Sequence, residues 1–145
     1  DLSPLARLPR LAELVLDRTR VRDLTPLSGS PSLRRLDLGS APVGDLAALG
    51  VLPNLVVLDI GDGSASTGLD LSRYPMLETL VGVMVREAAL WPEAFPATLR
   101  ELILGEAAWP EGRPLPDVPR IITPDWRLID DGAPCSDPFE FCRIV

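Results

Sequence analysis

A 22-residue period runs through this chain and restricts its fold more than any other feature. Leu11, Leu33, Leu55, Leu77 and Leu99 stand 22 residues apart without a slip. Each is followed three residues later by Leu14, Leu36, Leu58, Leu80 or Leu102, and two further on by Leu16, Leu38, Ile60, Gly82 or Leu104. The unit is L-x-x-L-x-L, written five times. Pro9, Pro31, Pro53 and Pro75 precede the first leucine by two positions, with Ala97 in the fifth copy. Val21 and Val43, Leu24 and Leu46, and Leu27, Leu49 and Leu71 recur later in the units. A leucine-rich helix would space its apolar residues by 3.6 and drift out of this phase. The regularly placed prolines would also break it.

Each unit is therefore expected to be one coil of a solenoid. The alternating L-x-L portion predicts a short strand with leucines pointing inward, over residues 13–17, 35–39, 57–61, 79–83 and 101–104. The remainder returns over the other side in turns or a short helical piece. No coil can bury its leucines alone, so stacked coils build the core and their strands pair in parallel.

The segments Val21-Arg22-Asp23-Leu24-Thr25-Pro26-Leu27 and Leu33-Arg34-Arg35-Leu36-Asp37-Leu38 resemble the return and strand halves of the leucine-rich repeat, in its 22-residue, internalin-like bacterial form. The resemblance covers residues 1–104. It implies a right-handed α/β solenoid with a parallel, concave β-sheet, and a role in binding rather than chemistry. Where that family places an asparagine ladder, this chain has Thr19, Ala41, Gly63 and Val85, so the corner must be satisfied by backbone or water. The third unit carries a Gly/Ser-rich stretch from Gly61 to Gly68, and the fourth, Val83 to Leu90, has room for a longer helix.

At the N-terminus, Asp1-Leu2-Ser3-Pro4-Leu5 repeats Asp23-Leu24-Thr25-Pro26-Leu27, the return half of a coil. Further coils or another domain are expected upstream, with Leu2, Leu5, Leu14 and Leu16 at an incompletely covered end. Residues 105–145 hold seven Pro, two Trp and both Cys, and are expected to form a C-terminal cap. Within it, Ile121 stands 22 residues after Leu99 and predicts one last degenerate strand, while Trp109 and Trp126 are placed to cover the fifth coil.

Composition narrows the functions. At 145 residues the chain suits one domain. Fourteen basic residues, all Arg, face 21 acids for a net charge of −7, the wrong sign for a nucleic-acid groove. With no His there is no neutral-pH proton shuttle and no Ser-His-Asp or Cys-His pair. No catalytic residue, metal or cofactor is expected, and the chain is not expected to be an enzyme. No apolar run is long enough to insert in a membrane. No signal peptide is visible, which favours the cytoplasm, with surface exposure or secretion as the alternative. Cys135 and Cys142 could bridge in an oxidising compartment or remain reduced thiols; two ligands alone do not close a zinc shell. Asp130-Asp131-Gly132 and Gly61-Asp62-Gly63 lack calcium-loop spacing and fit turns instead.

The candidate site is the outward face of the strands. It comprises Glu13, Val15 and Asp17; Arg35 and Asp37; Val57 and Asp59; Thr79, Val81 and Val83; and Glu101 and Ile103. Parallel pairing would align Val15, Asp37, Asp59, Val81 and Ile103 in one row and Glu13, Arg35, Val57, Thr79 and Glu101 in the next. Asp37 and Asp59 then stack on a solvent face rather than form an acid/base pair. Val and Ile also suit strands wherever they occur, but an apolar patch with polar surroundings fits a binding surface. The expected function is recognition of a protein or peptide, in the C-terminal sensor or targeting segment of a larger protein. By analogy with nucleotide-dependent immune-type receptors, an ATPase would lie upstream. The alternative is an internalin-like adhesive surface domain.

Overall fold

The computed structural model describes residues 1–61, 69–82, 92, 94–104, 114 and 116–122. Six strands form one sheet: β1 (Glu13–Val15), β2 (Arg35–Asp37), β3 (Val57–Asp59), β4 (Thr79–Gly82), β5 (Glu101–Leu104) and β6 (Arg120–Ile122). They lie in chain order and every neighbouring pair is parallel. Parallel neighbours cannot be joined by a hairpin, so the chain winds as a solenoid, and the described connections cross back over the leucine side. Among the described residues the returns hold 3-10 turns, at Leu5–Arg7, Thr25–Leu27, Leu46–Leu49 and Leu71–Arg73, and no α-helix.

The register follows the period. Leu14, Leu36, Leu58, Leu80 and Leu102 are Cα partners from rung to rung, flanked by the two outward rows. Inside, Leu33, Leu36, Leu55, Leu58, Leu77, Leu80 and Leu102 are all fully buried, and the returns add Leu24, Leu27, Leu46 and Leu49. Tyr74 apart, no polar or charged residue is buried among the described residues.

The strands are shorter than the five residues expected for the first four rungs. Cross-rung bonds persist one residue beyond each: Leu16 N–H donates to the Asp37 carbonyl (2.7 Å), Leu38 to Asp59 (2.9 Å) and Ile60 to Val81 (2.9 Å). The backbone then turns left-handed, at Arg18 (φ 56°), Gly39 (φ 48°) and Gly61 (φ 63°). Corners stack almost backbone on backbone there. A Cβ on Gly61 would overlap the Gly39 carbonyl, and one on Gly39 would overlap Asp17.

The missing asparagine ladder is replaced locally. Thr19 Oγ1 accepts from Val21 N–H (3.4 Å). Ala41 N–H donates to Leu38 O (2.9 Å) and Val43 N–H to Ala41 O (2.7 Å). Gly63 and Val85 lie outside the described residues. Asp17 also reaches across one coil, accepting from Ser40 N–H (3.1 Å) and Ser40 Oγ (3.0 Å).

Each of the four described 3-10 turns has an aspartate ahead of it. Asp1, Asp23, Asp45 and Asp70 accept from the N–H two residues on, at Ser3 (2.8 Å), Thr25 (2.9 Å), Ala47 (2.8 Å) and Ser72 (3.1 Å). This corrects the placement of Leu71. It follows the capping Asp70 as Leu24 follows Asp23, so it matches Leu24 and Leu46 rather than Leu27 and Leu49. Tyr74 N–H then bonds Leu71 O as Leu27 N–H bonds Leu24 O, while Leu77 N–H bonds Tyr74 O as Leu55 N–H bonds Leu52 O. The fully buried Tyr74 thus stands where the preceding coil has both Leu49 and Leu52. One large ring replaces two leucines, and a longer stretch of sequence between Asp45 and Asp70 restores the 22-residue count.

The first coil is only partly closed. Leu5, Leu11 and Leu14 are partly buried, whereas their successors Leu27, Leu33 and Leu36 are fully so. Leu2 and Leu16, expected at the same open end, are instead buried at 5% and 4% exposure. For them a single neighbouring coil suffices. At the other end β6 adds a sixth rung, but not in the expected phase. Ile121 pairs with Leu102 instead of taking the Leu99 position, so this coil is three residues shorter. Trp109 and Trp126 lie outside the described residues.

Candidate recognition face

Two rows of side chains stand on the outward face of the sheet. The first is Glu13, Arg35, Val57, Thr79, Glu101 and Arg120; the second is Val15, Asp37, Asp59, Val81, Ile103 and Ile122. Period-2 alternation of strand side chains puts them opposite the leucines. Glu13, Val15, Asp17 and Arg35 are exposed, while Asp37, Val57, Asp59, Thr79, Val81, Glu101 and Ile103 are half-buried. Every one of these expected site residues lies on this face or, for Asp17, at its rim. Val83, Cys135 and Cys142 lie outside the described residues.

The sixth rung was not among the expected site residues, although Arg120-Ile121-Ile122 offers a weak strand signal. Arg120 extends the first row and its Nη1 pairs with Glu101 Oε1 at 2.7 Å. Its Nε is buried and without a partner among the described residues. Ile122 ends the second row at 7% exposure, so the accessible stretch runs from Val15 to Ile103.

The carboxylates at the ends of β1 to β3 differ in character. Hydrogen bonds from the backbone and side chain of Ser40 hold the exposed Asp17 below its ordinary range. Asp59 moves the other way. Loss of solvent raises its pKa, the neighbouring Asp37 adds to that, and the Gly61 N–H (2.8 Å) and Arg35 oppose it. Among the described residues Asp37 and Arg35 make no side-chain hydrogen bond or ion pair, and no group of three or more potential metal ligands occurs. Nor, among the described residues, is any helix long and apolar enough to cross a membrane.

A groove of about 260 Å³ runs between the first two returns, lined by Leu5, Leu8, Pro9, Pro26, Leu27 and Pro31 among others. Arg73, at the end of the 3-10 turn Leu71–Arg73, ties two coils together. Its Nη1 donates to Ala47 O (3.2 Å) and its Nε pairs with Asp70 (3.2 Å).

Compared with protein-family models, curated proteins and solved structures, the chain matches none of them. What it does is therefore argued from the face itself.

Proposed function

We propose that this chain is a right-handed leucine-rich repeat solenoid whose outward, concave sheet face binds a protein or peptide, as the sensor or targeting segment of a larger protein. The observation that carries it is a contrast within each strand. Inward positions repeat almost without variation, as a stacked core requires. Outward positions in the same strands change from rung to rung: Glu13, Arg35, Val57, Thr79 and Glu101 in one row, Val15, Asp37, Asp59, Val81 and Ile103 in the other. The fold does not demand that variety. Right-handed crossovers are what parallel strands almost always adopt. Side chains held on a rigid sheet also lose less entropy on docking than those on loops.

The test is selection of a displayed random-peptide library against the full chain, with each binder remeasured on three variants. Val81→Asp and Asp37→Arg alter the face; Arg20→Glu reverses an exposed residue of the first corner. The face variants should weaken binding by about tenfold or more, a cost near 1.4 kcal/mol, and Arg20→Glu should change it little. Binders that survive both face substitutions, or a selection that yields none, would refute the reading.

A further inference from the structure

The two outward rows are not electrically alike. In the first, charges occur as opposite neighbours: Glu13 beside Arg35, and Glu101 paired with Arg120. That row offers a partner no net charge. In the second, Asp37 and Asp59 sit side by side on adjacent rungs with no cation in the row. Like charges directly across a strand pair cost stability, and the same position elsewhere in the row holds Val or Ile. Asp59 is half-buried, and one carboxylate oxygen already takes the Gly61 N–H. Two half-buried carboxylates on adjacent rungs, with strands about 4.8 Å apart, suit the planar fork of a guanidinium or a single ammonium.

Beyond the aspartates the row turns apolar. Val81 and Ile103 occupy the next two rungs, half-buried and in register. The centre of that pair lies two rungs from the centre of the acidic pair, roughly 10 Å, which an extended chain covers in about three residues. We propose that the face takes an extended, basic partner segment lying across the strands, with Arg or Lys between Asp37 and Asp59 and an aliphatic residue about three positions away against Val81 and Ile103. The proposal rests on the reading of this face as the recognition surface and adds the chemistry of its occupant. A second copy set with its own acidic pair over this one would bring four carboxylates together, which charge disfavours.

Fluorescence anisotropy with short synthetic peptides on the full chain tests it. One peptide carries Arg with Leu three positions on; a second has Glu for Arg; a third has Ser for Leu. The first should bind, weaken with added salt, and exceed the Glu peptide by about tenfold or more. Asp37→Arg should reverse that preference, and Asp37→Asn should only reduce it, provided circular dichroism shows both variants folded. The Ser peptide should bind more weakly than the first on the native chain and equally on Val81→Asp. Equal binding of Arg and Glu peptides, or no effect of salt, would overturn the proposal. If library-selected peptides are lost with Val81→Asp yet show no preference for Arg or Lys, the proposal falls while the recognition face stands. If no peptide responds to either face substitution, both fall.

Discussion

Residues with the same place in the repeat differ in cost because their surroundings differ. Leu58 is sealed between two coils, so Leu58→Ala should lose about 2–5 kcal/mol by urea denaturation, from lost burial and the cavity left behind. Leu14, its counterpart in the half-open first coil, is only partly buried, and Leu14→Ala should cost clearly less. Equal losses would mean that both ends of the row are equally covered. Tyr74 gives a different test. Its hydroxyl is buried with no hydrogen-bond partner among the described residues, and burial pushes its pKa up to about 12. An unsatisfied buried hydroxyl costs stability, so Tyr74→Phe should leave the melting temperature unchanged or raise it. A fall worth more than about 1 kcal/mol would show that the hydroxyl is bonded.

Asp59 supplies the pH dependence. Its folded pKa lies above the unfolded value of 3.8, so the ionised carboxylate destabilises the fold once pH exceeds the folded value. The penalty fades as pH falls through the folded value and is gone below the unfolded one. Asp59→Asn keeps an acceptor for the Gly61 N–H and removes the charge. It should be more stable than the native chain at neutral pH, by roughly a few tenths of a kcal/mol after solvent screening, with the advantage shrinking towards pH 3.8. An advantage that grows on acidification would reverse the sign assigned here.

At the scale of elements, the strands were legible because two periods agree, alternation within a strand and 22 residues between strands. Their length was not legible. It is set by left-handed corners and the close stacking of Gly39 on Asp17 and Gly61 on Gly39, which depend on the neighbouring coil. The fourth return misled for a related reason. Residues gained before Asp70 balance those lost between Tyr74 and Leu77, so the leucine spacing hides both changes, and only the Asp-Leu cap at Asp70-Leu71 betrays the shift. The sixth rung comes three residues early in the same count. Corner stacking can be measured directly. Gly61→Ala must place a Cβ on the Gly39 carbonyl at φ 63°, whereas Gly29→Ala, also at positive φ, meets open space. Gly29→Ala should lose about 1 kcal/mol and Gly61→Ala distinctly more. Equal losses would mean that the corners are not in close contact.

Across the whole molecule, the outward rows were legible in the sequence because register follows from period. Their electrostatic character was not. The desolvation of Asp59 and the Glu101–Arg120 pair arise only when coils stack. Apolar side chains also remain exposed elsewhere: Leu8, Val51 and Met76, none of them in a strand, stand alongside Val15. A partner therefore has two kinds of apolar surface to choose between, and methyl resonances can tell them apart. The most direct measurement is a methyl-NMR titration of the full chain with a peptide selected for binding. The account requires the methyls of Val15, Val81 and Ile103 to shift together while those of Leu8, Val51 and Met76 stay in place. Shifts confined to Leu8, Val51 and Met76, with the sheet valines and isoleucine unmoved, would contradict it.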